Sequence, residues 1–125
     1  FLRFAPCLDG YNMHVIVVGM WTVKDHAEAV AEYQQLGARE AVAVDAAIAK
    51  LEVLGPHLPY PHSSQVKSAP KLRELRPRAG RSQTRVFYSQ TAEDTFTIGA
   101  YGPEADVDPK GFKRSVDAAK RRLGL

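Results

Sequence analysis

Along this chain the spacing of apolar positions switches between strand and helix periods, and the switches mark out its elements. Val15, Ile16, Val17 and Val18, followed by Trp21, Thr22 and Val23, are β-branched or aromatic and predict a strand with a kink at Gly19. Asp25 followed by Glu28 has the spacing of a capping box. Ala27, Val30, Tyr33 and Leu36 then recur at helical spacing until Gly37 closes the segment. Ala41, Val44, Ile48 and Leu51 form a second stripe, which Gly55-Pro56 stops. The two segments predict an antiparallel helical hairpin whose apolar faces are core. Pro56, Pro59, Pro61 and Pro70 make 55–70 a predicted loop.

Three strands are predicted next, over 71–78, 84–89 and 95–101, with linkers at 79–83 and 92–94 short enough for antiparallel hairpins. Asp108 then caps a last helix with Pro109 at its first position. Phe112, Val116, Ala119 and Leu123 supply its apolar face, and Lys120, Arg121 and Arg122 lie in its last turn, where the helix dipole favours cations. The order of strand, two helices, three strands and helix predicts a small α+β domain with helices packed on a mainly antiparallel sheet. Residues 1–19 read as a lead-in or strand extension and 20–125 as the domain, with Met13 and Met20 as alternative starts.

Composition narrows the picture. With 125 residues and 45% hydrophobic content the chain can build one core, which disfavours disorder. Cys7 is the only cysteine, so neither an internal disulfide nor a cysteine-based zinc site can be assembled, as suits a reducing cytoplasm. The apolar run from Met13 to Trp21 is too short to span a bilayer, and Asp9, Asn12 and His14 spoil a signal-peptide pattern. A cytoplasmic protein without a membrane partner is therefore expected.

The net charge of +3 conceals a local block. Within 64–90 stand Lys67, Lys71, Arg73, Arg76, Arg78, Arg81 and Arg85 against Glu74 alone, while 1–63 is net acidic and 91–125 cancels. Such a block suggests a polyanionic partner, with a solvated surface as the plain alternative. If 71–78 alternates as a strand, Glu74, Arg76 and Arg78 share a face, and a hairpin partner brings Arg85 onto it. Guanidiniums suit phosphate because their planar fork donates two hydrogen bonds at once. Tyr88 and Tyr101 are then expected to stack on bases. No metal or other cofactor is expected. His14, His26, His57 and His62 have no ligand spacing beyond a five-residue gap in the proline-rich loop, and Asp106 and Asp108 read as turn and cap. The serines lie in no nucleophile elbow, and no phosphate-binding glycine loop is present.

Leu72-Arg73-Glu74-Leu75-Arg76-Pro77-Arg78, Thr84-Arg85-Val86-Phe87-Tyr88 and a basic helix opening Asp108-Pro109-Lys110 and ending Ala118-Ala119-Lys120-Arg121-Arg122-Leu123 stand in a telling order. Together they resemble the HigB-like, phage-derived branch of the RelE/ParE toxin superfamily, which reads L-x-E-L-R, x-R-x-x-Y, G-F-x-K-K-x-x-x-T-P and A-x-x-R. The resemblance runs from about Met20 to Leu123. It implies a RelE-like fold and a toxin of a type II toxin–antitoxin module, paired with a helix-turn-helix antitoxin. It also implies cleavage of messenger RNA on the ribosome by the RNA's own 2′-hydroxyl, without a metal. Carried over by position, Arg76 and Arg85 are the phosphate-stabilising cations, and Glu74 is the base or the carboxylate that orients them. Lys71 and Arg78 add backbone contacts, Arg73 joins them in binding RNA, and Tyr88 and Tyr101 orient it.

One departure stands against the pattern. Counted back from Pro109, the family's Lys-Lys pair falls on Pro103-Glu104, and Glu104, Asp106 and Asp108 place carboxylates where cations belong. A phosphate at this strand end meets repulsion. Two alternatives to a nuclease therefore stay open: a ParE-like gyrase poison on the same fold, or an inactive antitoxin-binding regulator.

Overall fold

The computed structural model describes residues 20–125 of the chain. The N-terminal half of the predicted first strand, 15–18, lies outside them. Within them the chain runs β1 (Thr22–Asp25), α1 (Ala27–Gln34), α2 (Ala38–Leu54), a 3-10 turn (Gly55–His57), β2 (Ser63–Val66) and β3 (Ala69–Leu75). A second 3-10 turn (Pro77–Gly80), β4 (Thr84–Ala92), β5 (Thr95–Pro103) and α3 (Pro109–Leu123) complete it. The five strands form one sheet in the order β1-β5-β4-β3-β2. β1 runs parallel to β5, and every other pairing is antiparallel. This is the expected α+β architecture.

Alternation along the strands gives the sheet two apolar faces, and each is covered by helix. Leu75, Val86, Tyr88, Ile98 and Tyr101 pack with Val44, Ile48 and Leu51 beneath the first two helices. Leu72, Phe87 and Ala100 pack with Val116 and Ala119 beneath α3. The contact with α3 is close enough to exclude a side chain at Gly99, where an added Cβ would lie 2.9 Å from that of Ala119. Gly99 is also the extra residue of a bulge, since Ile98 pairs with Tyr88 and Ala100 with Phe87. Its carbonyl accepts from Arg122 Nη1 at 2.9 Å, while Glu32 accepts from the Tyr101 amide at 3.1 Å. Arg122 and Glu32 in turn form a two-pronged ion pair, both arms at 3.0 Å. The pair joins α1 to α3 across the stretch of β5 that extends beyond β1, so the exposed edge there is closed by side chains.

Three local expectations change. The loop expected over 55–70 contains β2, which pairs with the far edge of β3. The strand expected over 71–78 ends at Leu75, because Pro77 has no amide to donate and the chain turns there, with Arg78 and Ala79 both at φ 55°. The cap of α1 is His26, whose Nδ1 accepts from the Glu28 amide at 3.1 Å. Asp25 is instead the last residue of β1, and its carboxylate receives the Tyr101 hydroxyl.

The turn after β3 is tied to the start of α2 through Glu40, which accepts from the hydroxyls of Ser82 and Thr84. The Ser82 bond chiefly holds the Glu40 carboxyl below its ordinary pKa. A depressed carboxyl pKa stabilises the fold above the unfolded value, and that contribution is lost as pH falls through the depressed one. Glu40→Gln is therefore expected to flatten the fall in stability as pH drops through and below the ordinary carboxylate range, read by denaturant melts at each pH. Among the described residues no helix is long and apolar enough to cross a membrane.

Candidate active site

β3 and β4 hydrogen-bond so that Glu74 stands opposite Phe87, and β4 and β5 so that Arg85 stands opposite Gly102. Alternation then turns Glu74, Arg76 and Arg85 to the α3 side of the sheet, near the N-terminus of that helix. They line one cleft of about 200 Å³ together with Glu104, Asp106 and Phe112. The three residues expected to carry chemistry therefore converge, although Arg76 lies just past the strand end.

Their states differ. Arg85 is 3% exposed. Its Nη1 donates to the carbonyls of Ser82 at 2.6 Å and Thr84 at 3.1 Å. Its Nη2 donates to the Gly80 carbonyl at 3.3 Å and to Glu104 Oε2 at 2.7 Å. All four terminal N–H groups are thus spent on the chain itself. Burial, followed by repulsion from Arg76, lowers the Arg85 pKa from its ordinary value, and the Glu104 and Glu74 carboxylates oppose that shift. Arg76 is less committed. Its Nη1 donates to Glu74 Oε1 at 3.0 Å, and its guanidinium lies 5.4 Å from the centre of the exposed Tyr60 ring. Its Nε is buried with no hydrogen-bond partner among the described residues. Glu74 is buried and takes its ion pair from Arg76.

The remaining predicted residues are dispersed. Arg73 lies on the opposite face of β3 from Glu74, donating to Ser63 Oγ at 2.9 Å. With Lys71 and Tyr88 it borders a separate open depression. Arg78 has left the strand and lines a third groove with Val42, Lys50 and His62, so the face expected to carry Glu74, Arg76 and Arg78 together is not formed. Tyr88 and Tyr101 are buried at 2% and 5% exposure. The Tyr88 hydroxyl shares a 2.7 Å hydrogen bond with Ser63, and Tyr101 bonds Asp25. Neither ring is presented for stacking on a base. Conversely, Glu104 becomes a member of the cleft, as the partner of Arg85. No three His, Cys, Asp or Glu side chains converge as metal ligands among the described residues. Chemically, the cleft offers one saturated arginine, one arginine with donors to spare and three carboxylates.

A mainly antiparallel five-stranded sheet, with two helices on one face and the C-terminal helix on the other, is the RelE-like fold. The chain superposes on the E. coli toxin RelE in the free state, in a form with two arginine-to-alanine substitutions, with a TM-score of 0.56 at 12% identity. The match covers 78% of this chain and 96% of that one. The isolated E. coli RelE toxin gives a TM-score of 0.53 at 15% identity, over 75% and 97% of the two chains. At these identities the likeness is one of fold. No protein-family model matches the chain, and no curated protein does.

Proposed function

We propose that this chain is the toxin of a type II toxin–antitoxin module, of the HigB-like branch, and that it cuts messenger RNA on the ribosome. The observation that carries the reading is the convergence of Glu74, Arg76 and Arg85 on one cleft of a RelE-like fold. In the reaction the RNA 2′-oxygen attacks the adjacent phosphorus, the phosphorus–5′-oxygen bond breaks, the departing 5′-oxygen takes a proton from water, and a cyclic phosphate remains. Glu74 receives the 2′-hydroxyl proton or holds Arg76 in place. Arg76 donates to the charge that develops on the phosphate. Arg85 positions the site, because its donors are already used. A helix-turn-helix antitoxin that covers this cleft is the proposed partner.

The test is induction in a bacterial host without antitoxin, followed by mapping of new 5′ ends across cellular messages. Growth arrest with cuts inside translated codons is the expected result. Arrest without cuts points to a ParE-like gyrase poison, and absence of both from soluble protein leaves an antitoxin-binding regulator. The 2.7 Å Arg85–Glu104 pair favours these alternatives, since a carboxylate occupies the position where a phosphate would meet Arg85. The nuclease reading makes this pair a restraint on activity. Glu104→Gln keeps a hydrogen-bond acceptor for Arg85 and removes the charge, so affinity for a short labelled RNA is expected to rise about tenfold at low salt. Unchanged affinity in an anisotropy titration counts against any phosphate approaching this end of the cleft.

A further inference from the structure

The cleft itself is a poor polyanion holder: Glu74, Glu104 and Asp106 outnumber Arg76 and Arg85. The cations that remain free stand elsewhere. On α3, Lys110, Lys113, Arg114 and Arg121 are exposed and Lys120 is half-exposed. At 100° per residue, Lys110, Arg114 and Arg121 fall within about 40° of one another on the outward line of the helix, and they span about 16 Å of its axis. Lys113 and Lys120 flank them one side round. The only acid on this face is Asp117, bound to Lys113 at 2.8 Å. Lys110, Arg114, Lys120 and Arg121 have no ion pair or side-chain hydrogen bond among the described residues. Arg122, from the same basic run, is turned away and held by Glu32.

Helix electrostatics account for part of this charge only. Cations in the last turn are favoured by the dipole, whereas those near an N-terminus are opposed by it. Lys110 stands in the first turn and Lys113 and Arg114 follow directly, with no acidic residue in that turn. The dipole therefore disfavours Lys110 alone, and the run of cations as a whole is favourable to a bound polyanion. The N-terminal end of the same helix borders the cleft, which Phe112 lines from the inward face of α3.

We propose that the outward face of α3, through Lys110, Lys113, Arg114, Lys120 and Arg121, is the surface on which single-stranded RNA docks by its phosphodiester backbone. The choice of RNA rests on the function proposed above. The surface differs from Lys71, Arg73 and Arg78, the residues for which the family resemblance implies RNA contacts.

The test is anisotropy of a short labelled single-stranded RNA on the full chain, over a range of salt and without ribosomes. Lys110→Gln, Arg114→Gln and Arg121→Gln are combined in one variant, and Lys24→Gln, Arg39→Gln and Lys67→Gln in a second of equal charge. The α3 variant is expected to lose at least about tenfold in affinity at low salt, and its log–log salt slope to shrink by about 2. The second variant is expected to stay within about twofold, since its cations lie on β1, at the start of α2 and between β2 and β3 rather than on α3. Equal losses in the two variants, or no loss in the first, overturn the proposal. So does a wild-type chain that prefers duplex DNA or phosphatidylserine vesicles to RNA. Because binding is read apart from cleavage, a chain that cuts nothing still reports on this surface. An α3 variant that binds normally while the wild type cuts refutes the docking face alone.

Discussion

Arg85→Ala is expected to cost about 3–5 kcal/mol of folding stability, the range for breaking a buried ion pair. The substitution strips the donor from the carbonyls of Gly80, Ser82 and Thr84 and leaves Glu104 facing them. These groups hold the turn that follows Pro77, where Arg78 and Ala79 sit in the left-handed region and depend on their surroundings to stay there. For a domain of this size the loss is a large part of the total, and a fall in melting temperature of more than about 10 °C follows. Arg85→Lys keeps the charge without the fork and should fall between. Urea denaturation of the two variants checks this. A loss under about 1 kcal/mol for Arg85→Ala would show that the network is ornamental. The practical consequence is that an inactive Arg85→Ala chain says little about catalysis unless its folding is measured first.

Arg76→Ala is expected to separate the two effects. Its guanidinium is partly exposed and makes one ion pair, so its removal costs the fold about 1–2 kcal/mol, chiefly by unpairing the buried Glu74. In the proposed cleavage, however, it is the cation still able to meet a phosphate, and loss of one such donor is expected to lower the rate by about 10²–10³-fold. Single-turnover cleavage of a ribosome-bound message by the folded variant checks this. Cleavage within tenfold of wild type would remove Arg76 from the reaction.

The fold was legible in the sequence wherever one period ruled a segment. The stripes Ala27–Leu36 and Ala41–Leu51 and the amphipathic run behind Asp108-Pro109 all became helices near their expected bounds. β2 was hidden because Ser63-Ser64-Gln65 has little apolar content and lies among prolines, and its pairing depends on β3 rather than on its own residues. Alternation puts Arg78 on the Glu74 face only if the strand runs through Arg76-Pro77, where the missing amide ends the ladder. The site was half legible. Glu74, Arg76 and Arg85 converge as expected, yet strand position alone did not separate the buried Tyr88 and Tyr101 from exposed aromatics, since both faces of this sheet are covered by helix. The role of Glu104 could have been found. A turn at 93–94 sets Arg85 opposite Gly102, so the carboxylate two residues on had to lie near the guanidinium. Against the family pattern alone Glu104 is only a departure, and its role emerges when pairing across the hairpin is carried to the end of β5.

On the proposed function, the cleft of Glu74, Arg76 and Arg85 directs the RNA's own 2′-hydroxyl against its phosphate. The most direct measurement offers the purified chain two ribosome-bound messages, identical except that one carries a 2′-deoxy nucleotide at the mapped cut. The all-ribose message is expected to be cut to a cyclic phosphate and a free 5′-hydroxyl, while the 2′-deoxy message stays whole at that position. Equal cutting of both, or of neither, would contradict it.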